Sequence, residues 1–234
     1  MKASQRRGKP FYGPDAPNWA FAWILKYGIA WMLPLLWRIR VIGKENLPEG
    51  GAVLSCNHVS MMDSVLLWSL RLGKQPHFVA KSEIYKLKLG NWHWLGWILD
   101  MVGAMPVERG TADRTMINNS TDLLNAGEWV CIFPEGTRVR GGDDADAMGE
   151  ALGGAAFLAL RTGVPLVPIG IAGTERIMQE GKRLPRFPRV TYIIGTPIHP
   201  DQFEGKRKER VTDMTAALMQ SIHALRDQAR ALGD

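Results

Sequence analysis

Short apolar runs alternate along this chain with longer segments of helical spacing. Ala52 to Cys56, His77 to Ala80, Met101 to Val107, Trp129 to Phe133, Pro165 to Ile171 and Val190 to Ile194 read as strands. Arg38 to Gly43 is a shorter one, followed by a loop rich in Pro and Gly, Glu45 to Gly51. Ser60 to Leu72, Glu83 to Leu99, Asp113 to Asn125, Gly149 to Arg161 and Lys206 to Leu232 carry helical spacing, with a Gly break inside the second. Strands that alternate with helices predict an α/β fold with a central, mostly parallel sheet flanked by helices. No internal repeat and no Pro- or Ser-rich linker divides this region, so a single domain is expected.

The N-terminal segment follows a different pattern. Trp19 to Trp37 is almost continuously apolar, broken by Lys26, Gly28 and Pro34. Its length is near the lower end for a spanning helix, which needs roughly 20 apolar residues. Lys26 lies inside it, and Pro34 would kink its last turn. Basic residues flank both ends (Lys2, Arg6, Arg7 and Lys9 before; Arg38, Arg40 and Lys44 after), so the charge bias that orients a spanning helix is weak. Trp19, Trp23, Tyr27 and Trp31 recur at four-residue steps and form one aromatic stripe on a helix. Such a stripe suits the headgroup level of a bilayer. Residues 19–37 therefore read as an interfacial or re-entrant helix on the cytoplasmic face of the cell membrane, with basic residues meeting anionic lipid. The alternative is a helix packed on the core. A signal peptide fits poorly, because the polar lead Met1 to Asn18 carries three prolines and no clean cleavage site follows. A second cluster, Trp92, Trp94 and Trp97, brings seven of the nine tryptophans into these two segments. They point to a shared apolar surface facing lipid or a fatty chain, or to core packing.

Composition narrows the classes of partner. Hydrophobic residues make up 46% and charged residues 22%, ordinary for a folded globular chain. A net charge of +6 favours anionic partners without choosing among nucleic acid, anionic lipid and phosphorylated substrates. Each of the two cysteines, Cys56 and Cys131, falls in a strand-like apolar run and reads as a small, buried, reduced thiol. No CxxC pair and no Cys/His cluster points to zinc, so no metal is expected. Val139 to Met148 reads as an exposed acidic loop. It is not an EF-hand, since Met148 occupies a required oxygen-ligand position and no glutamate stands at the twelfth.

Candidate chemistry begins after the first long strand, in Asn57-His58-Val59-Ser60-Met61-Met62-Asp63. Five positions on a helix turn through about 500°, so His58 and Asp63 do not share a face of a regular helix. They meet only if His58 precedes the helix and Asp63 lies in its first turn. Ser60 as N-cap would place Asp63 at the third helical position, like a capping box with Asp for Glu, at the positive end of the helix dipole. In the bland reading these residues merely start a helix. In the functional one, Asp63 accepts a hydrogen bond from one ring nitrogen of His58 and leaves the other as a general base.

A second constellation, Phe133-Pro134-Glu135-Gly136-Thr137-Arg138, follows a strand end, where α/β proteins place their sites. Arg138 offers a planar fork suited to phosphate. Arg109 and Lys81 follow two other predicted strands. Each alone is most often a solvated charge. Three basic groups at three strand ends are more telling, because parallel strand ends converge on one edge. The basic stretches Lys182 to Arg189 and Lys206 to Arg210 read as surface or membrane-contact charge.

Asn57-His58-x4-Asp63 followed by Phe133-Pro134-Glu135-Gly136-Thr137-Arg138 resembles the glycerolipid acyltransferases, most of all the bacterial 1-acyl-sn-glycerol-3-phosphate (lysophosphatidic acid) acyltransferases. Gly103 to Arg109 and Val164 to Ile169 are similar to the family's second and fourth blocks, and the likeness runs from about Arg38 to Pro197. Departures are Glu108, where aspartate is common, and Val139, where serine often stands. The resemblance implies transfer of a fatty acyl group to the free hydroxyl of a lysophospholipid. The donor would be an acyl-CoA or acyl carrier protein thioester, used as co-substrate with no resident cofactor. His58 would be the base and Asp63 its partner. Arg109 and Arg138, with Lys81 nearby, would hold the acceptor phosphate, and Glu135, Gly136 and Thr137 would shape that site. It also implies an N-terminal tail and membrane-interface helix (1–37) ahead of an acyltransferase domain (38–234), with the membrane surface and acyl carrier protein as partners.

Other classes fit less well. A serine hydrolase would want Gly-x-Ser-x-Gly, and a nucleotide-binding enzyme a Walker or dinucleotide glycine pattern; neither is present. Another lysophospholipid or glycerol phosphate is the alternative acceptor. A non-catalytic basic lipid or nucleic-acid binder would explain the charge and the tryptophans but would not need His58 and Asp63, and nucleic acid is not an expected partner.

Overall fold

The computed structural model describes residues 19–70, 72–81, 104–107, 114–136, 151–178 and 184–233. Within them the strands are β1 (Arg40–Ile42), β2 (Ala52–Cys56), β3 (His77–Lys81), β4 (Met105–Val107), β5 (Trp129–Ile132), β6 (Leu166–Ala172) and β7 (Thr191–Ile194). The helices are α1 (Trp19–Leu36), α2 (Met62–Ser69), α3 (Arg114–Asn125), α4 (Gly154–Thr162) and α5 (Arg207–Ala231). The strands form one sheet in the order β1-β7-β6-β2-β5-β3-β4. Five of them, β6-β2-β5-β3-β4, run parallel. β7 is antiparallel to β6, and β1 is parallel to β7, so this outer pair runs the other way. The single α/β domain with a mostly parallel sheet is therefore as the pattern predicts.

Period-two sidedness explains how the continuous apolar strands cover two faces. Leu54 and Cys56 of β2, Trp129 and Cys131 of β5, and Val167, Ile169 and Ile171 of β6 share one core with Leu66, Leu67 and Trp68 of α2. Val53, Val130 and Leu166 point to the other side, into a core with α4 and with Met214, Leu218 and Ile222 of α5. The result is a helix–sheet–helix sandwich with β2 near its centre.

Helix α5 lies on β6 at very short range. A Cβ on Gly170 would fall on the backbone of Leu225 and Arg226, so only glycine permits this approach. Gly170→Ala is expected to lower unfolding stability by about 3 kcal/mol, read from urea denaturation. An unchanged midpoint would show that the helix can shift freely.

Helix α1 joins the body through its last turns. Ala30, Leu33 and Trp37 are buried in the α2-side core, while Tyr27, Trp31, Met32 and Leu35 stay exposed. Among the described residues, no helix is long and apolar enough to cross a membrane. The helix ends where the Ile39 amide donates to Pro34 O (2.9 Å) and the Arg38 amide to Leu35 O (3.2 Å). Arg38 itself sits at φ 41, in the left-handed region that glycine usually fills at this position. Pro34 is inside the helix, as its sequence position indicates.

Candidate active site

Strand β2 ends at Cys56, and the chain leaves the sheet edge as Asn57-His58-Val59-Ser60 before α2 begins at Met62. Helix α2 starts two residues later than the spacing predicts, with Met61 rather than Ser60 at its N-cap position, but Ser60 still serves its first turn. Ser60 Oγ accepts from the Met62 amide (3.2 Å), and the Ser60 amide donates to Asp63 Oδ2 (2.8 Å). Asp63 thus closes the first turn on itself, as a capping-box carboxylate does.

The same oxygen does a second job. Asp63 Oδ2 accepts from His58 Nδ1 at 2.9 Å and from the Val59 amide at 2.9 Å. His58 lies just before the helix and Asp63 inside it, the arrangement that the 500° offset demands. Asp63 is fully buried, and His58 keeps 18% of its side chain exposed. The His58 ring stacks on Phe133 at the end of β5, with centroids 4.1 Å apart and planes 24° apart. Carboxylate and phenyl together fix the plane and the tautomer of the imidazole. With Nδ1 engaged, Nε2 is the nitrogen left for proton transfer.

Two buried contacts that the sequence motifs do not reveal hold this turn in place. Asn57 donates from Nδ2 to Ile171 O (3.0 Å) and accepts at Oδ1 from the Ile171 amide (2.8 Å), tying the tip of β2 to the tip of β6. Tyr192 OH on β7 donates to Asp63 O (3.4 Å). Burial pushes the Tyr192 phenol well up, with the Asp63 charge adding to the shift, so it remains a donor. Asn57 stands inside the motif, and its only sequence signal is its place between strand and histidine. Tyr192 has no signal beyond a strand pattern.

Glu135 reaches the same edge from β5. It is 5% exposed, and neither of its carboxylate oxygens has a close hydrogen-bond partner among the described residues. Burial raises its carboxyl from 4.5 to about 7; the nearby His58 backbone amide opposes this, the Asp63 charge adds to it, and the Arg226 charge on α5 opposes it. The folded state binds this proton more tightly than the unfolded chain, so stability falls as pH rises from 4.5 to about 7. Urea titrations across that window should show the fall, and Glu135→Gln should remove it. An identical slope in the variant would rule Glu135 out as its source.

Of the other candidates, only Lys81 and Gly136 lie on described backbone. Lys81 closes β3, which lies beside β5, and its side chain is outside the described residues. Arg109, Thr137 and Arg138 are also outside them. Gly136 is described, at φ 62, where a side chain would be strained and would press on Leu152. The second tryptophan cluster, the helix read over 83–99 and the acidic loop 139–148 fall outside as well. Cys56 and Cys131 are buried free thiols whose sulfurs are 3.9 Å apart. Burial, with Cys131 beside it, raises the Cys56 thiol well above its ordinary range, so it is not a nucleophile. Among the described residues, no group of three or more His, Cys, Asp or Glu is placed to hold a metal ion.

The acyltransferase family model matches residues 38–172, from the entry into β1 to the end of β6. The chain belongs to the acyltransferase family. A 1-acyl-sn-glycerol-3-phosphate acyltransferase of Bacillus subtilis is 34% identical over 84% of this chain and 92% of its own length. A chloroplastic 1-acyl-sn-glycerol-3-phosphate acyltransferase of Arabidopsis thaliana is also 34% identical, over 70% of this chain but 44% of its own length. The crystal structure of the Thermotoga maritima lysophosphatidic acid acyltransferase has the same fold, with a TM-score of 0.60 at 23% identity, covering 86% of this chain and 79% of that one. In this acyltransferase the matched region contains the His58–Asp63 pair, Phe133, Glu135 and Asn57, but neither Tyr192 nor α5. Both lie beyond the matched region: Tyr192 bonds Asp63 O directly, and α5 packs on β6 beside the site.

Proposed function

We propose that the protein transfers a fatty acyl group from a thioester to the free hydroxyl of 1-acylglycerol-3-phosphate, giving phosphatidic acid for phospholipid synthesis. The observation that carries the mechanism is the 2.9 Å contact between His58 Nδ1 and the buried Asp63 carboxylate. His58 Nε2 removes the hydroxyl proton of the acceptor as its oxygen attacks the thioester carbonyl carbon. Asp63 stabilises the imidazolium that forms. The tetrahedral intermediate collapses, the carbon–sulfur bond breaks, and the leaving thiolate takes the proton from His58. The products are the new ester and the free thiol, and the enzyme returns to its starting state without a covalent intermediate.

The acceptor follows from the relative in Bacillus subtilis, whose name specifies that substrate and which this chain matches over 92% of its length. Basic residues suit the acceptor's phosphate. Lys81 closes β3, while Arg109 and Arg138 follow β4 and β5, three adjacent parallel strands. Glu135 and Gly136 lie in the turn after β5, and Thr137 follows them in the chain. The donor is an acyl-CoA or an acyl carrier protein thioester, and the enzyme works at the cytoplasmic face of the membrane, held there by the exposed aromatic side of α1. An acyl-transfer assay with a panel of lysophospholipids and both thioesters tests the reading. Lysophosphatidic acid should be turned over with the highest kcat/KM. Equal or better turnover of acceptors that lack the terminal phosphomonoester would overturn the assignment.

A further inference from the structure

The reversed outer strands carry a consequence for the side of the molecule that holds His58. Because β1 and β7 run against the other five strands, both begin where β2, β5 and β6 end. Arg40 and Thr191 pair with one another, and Thr191 pairs with Ala172, the last residue of β6. The exit of α1 and the segment leading into β7 therefore sit on the edge of the sheet that carries the dyad. That segment, residues 184–190, is pinned to the exit of α1. Trp37 Nε1 donates to Arg186 O (3.0 Å), the Val190 amide donates to Trp37 O (3.1 Å), and Arg38 Nη2 donates to Phe187 O (3.4 Å). The Trp37 and Phe187 rings lie 5.3 Å apart. The Arg186 amide donates to Ile177 O at 2.8 Å, closing the other side.

Its side chains are inverted relative to a normal loop. Leu184 is 80% exposed and Phe187 48%, beside Leu35 of α1 at 75%. Arg38, Arg186 and Arg189 are exposed among them. Large apolar groups held in water by a braced backbone and interleaved with guanidinium groups match an anionic bilayer, which takes apolar tips below its headgroups and pairs arginine with phosphate.

We propose that Leu184 and Phe187, with Arg186 and Arg189, form a second lipid-contacting element that docks beside α1 on an anionic membrane and turns the dyad edge toward the bilayer. It stands independently of which lysolipid is the acceptor. Leu184 makes the test clean, since the chain's two natural thiols are fully buried. An environment-sensitive fluorophore on Leu184→Cys should shift its emission to the blue when the full chain binds phosphatidylcholine vesicles containing phosphatidylglycerol. The same label on Glu204→Cys, exposed near the opposite edge after Ile198 pairs with the start of β6, should not shift. Leu184→Asp, at a side chain with little of its surface covered, should fold normally and weaken vesicle binding about tenfold. Its KM for a short-chain, monomeric acceptor should stay unchanged while that for a vesicle-borne acceptor rises. A label at 184 that keeps its aqueous emission on bound protein, or unchanged vesicle affinity in Leu184→Asp, overturns the proposal, as does a full chain that does not bind these vesicles. Failure to acylate any acceptor would instead overturn the reaction and leave the vesicle result standing.

Discussion

His58→Ala is expected to lower the acyl-transfer rate by about 10²–10⁴-fold with the acceptor KM little changed. In the proposed mechanism the substitution removes the group that takes the hydroxyl proton and later delivers it to the sulfur. Among the described residues, nothing nearby is placed to take over. Asp63 is fully buried behind the ring. Glu135, whose carboxyl is raised to about 7, is buried at 5% exposure, with no hydrogen bond to His58 Nε2 among the described residues. The fold should tolerate the change, because Asp63 Oδ2 keeps its bonds to the Val59 and Ser60 amides. Single-turnover acyl transfer, with unfolding followed by circular dichroism, separates the two effects. A stable His58→Ala protein that still acylates at the native rate would remove the dyad from the mechanism.

Asp63→Asn should be as damaging to kcat by a different route, and it should also cost stability. The native carboxylate oxygen gathers three donors at once: His58 Nδ1 and the amides of Val59 and Ser60. An asparagine can keep its carbonyl toward those donors only by aiming its NH₂ where Asp63 Oδ1 now lies, buried and without a partner among the described residues. Flipped the other way, the NH₂ faces three donors, and His58 must give up its Nδ1 proton to accept from it. That tautomer protonates Nε2 and abolishes the base. A fall of about 10³-fold or more in kcat is expected from the tautomer effect. The buried mismatch should lower stability by about 2 kcal/mol. The double variant His58→Ala with Asp63→Asn should be no slower than the worse single one, because the pair acts as one unit. Multiplying losses would mean that the two residues work separately.

The site was legible where its chemistry is local. The spacing from His58 to Asp63 and the cap at Ser60 predict a histidine outside the helix and a carboxylate in its first turn, and the contact is made at 2.9 Å. Glu135 was legible as a strand-end residue, but its burial and raised pKa were not, because they depend on what covers it. Helix α4 begins at Gly154 rather than near 149, since Gly153 and Gly154 start a helix that tertiary packing against α5 must support. The role of Asn57 depends on a partner 114 residues away, and that of Tyr192 on one 129 residues away. No window of the sequence contains both ends of either bond.

Local pattern by itself determined the type of the described elements, the mostly parallel sheet and the arrangement that lets His58 meet Asp63. Period, capping and turn chemistry act within a few residues, so they are written directly in the chain. Only the tertiary structure decided the strand order and the reversal of β1 and β7 beside β6. Those choices arise from side chains that meet only after the chain has folded back. They place the exit of α1 and residues 184–190 on the edge that holds His58, because a reversed strand begins where its neighbours end.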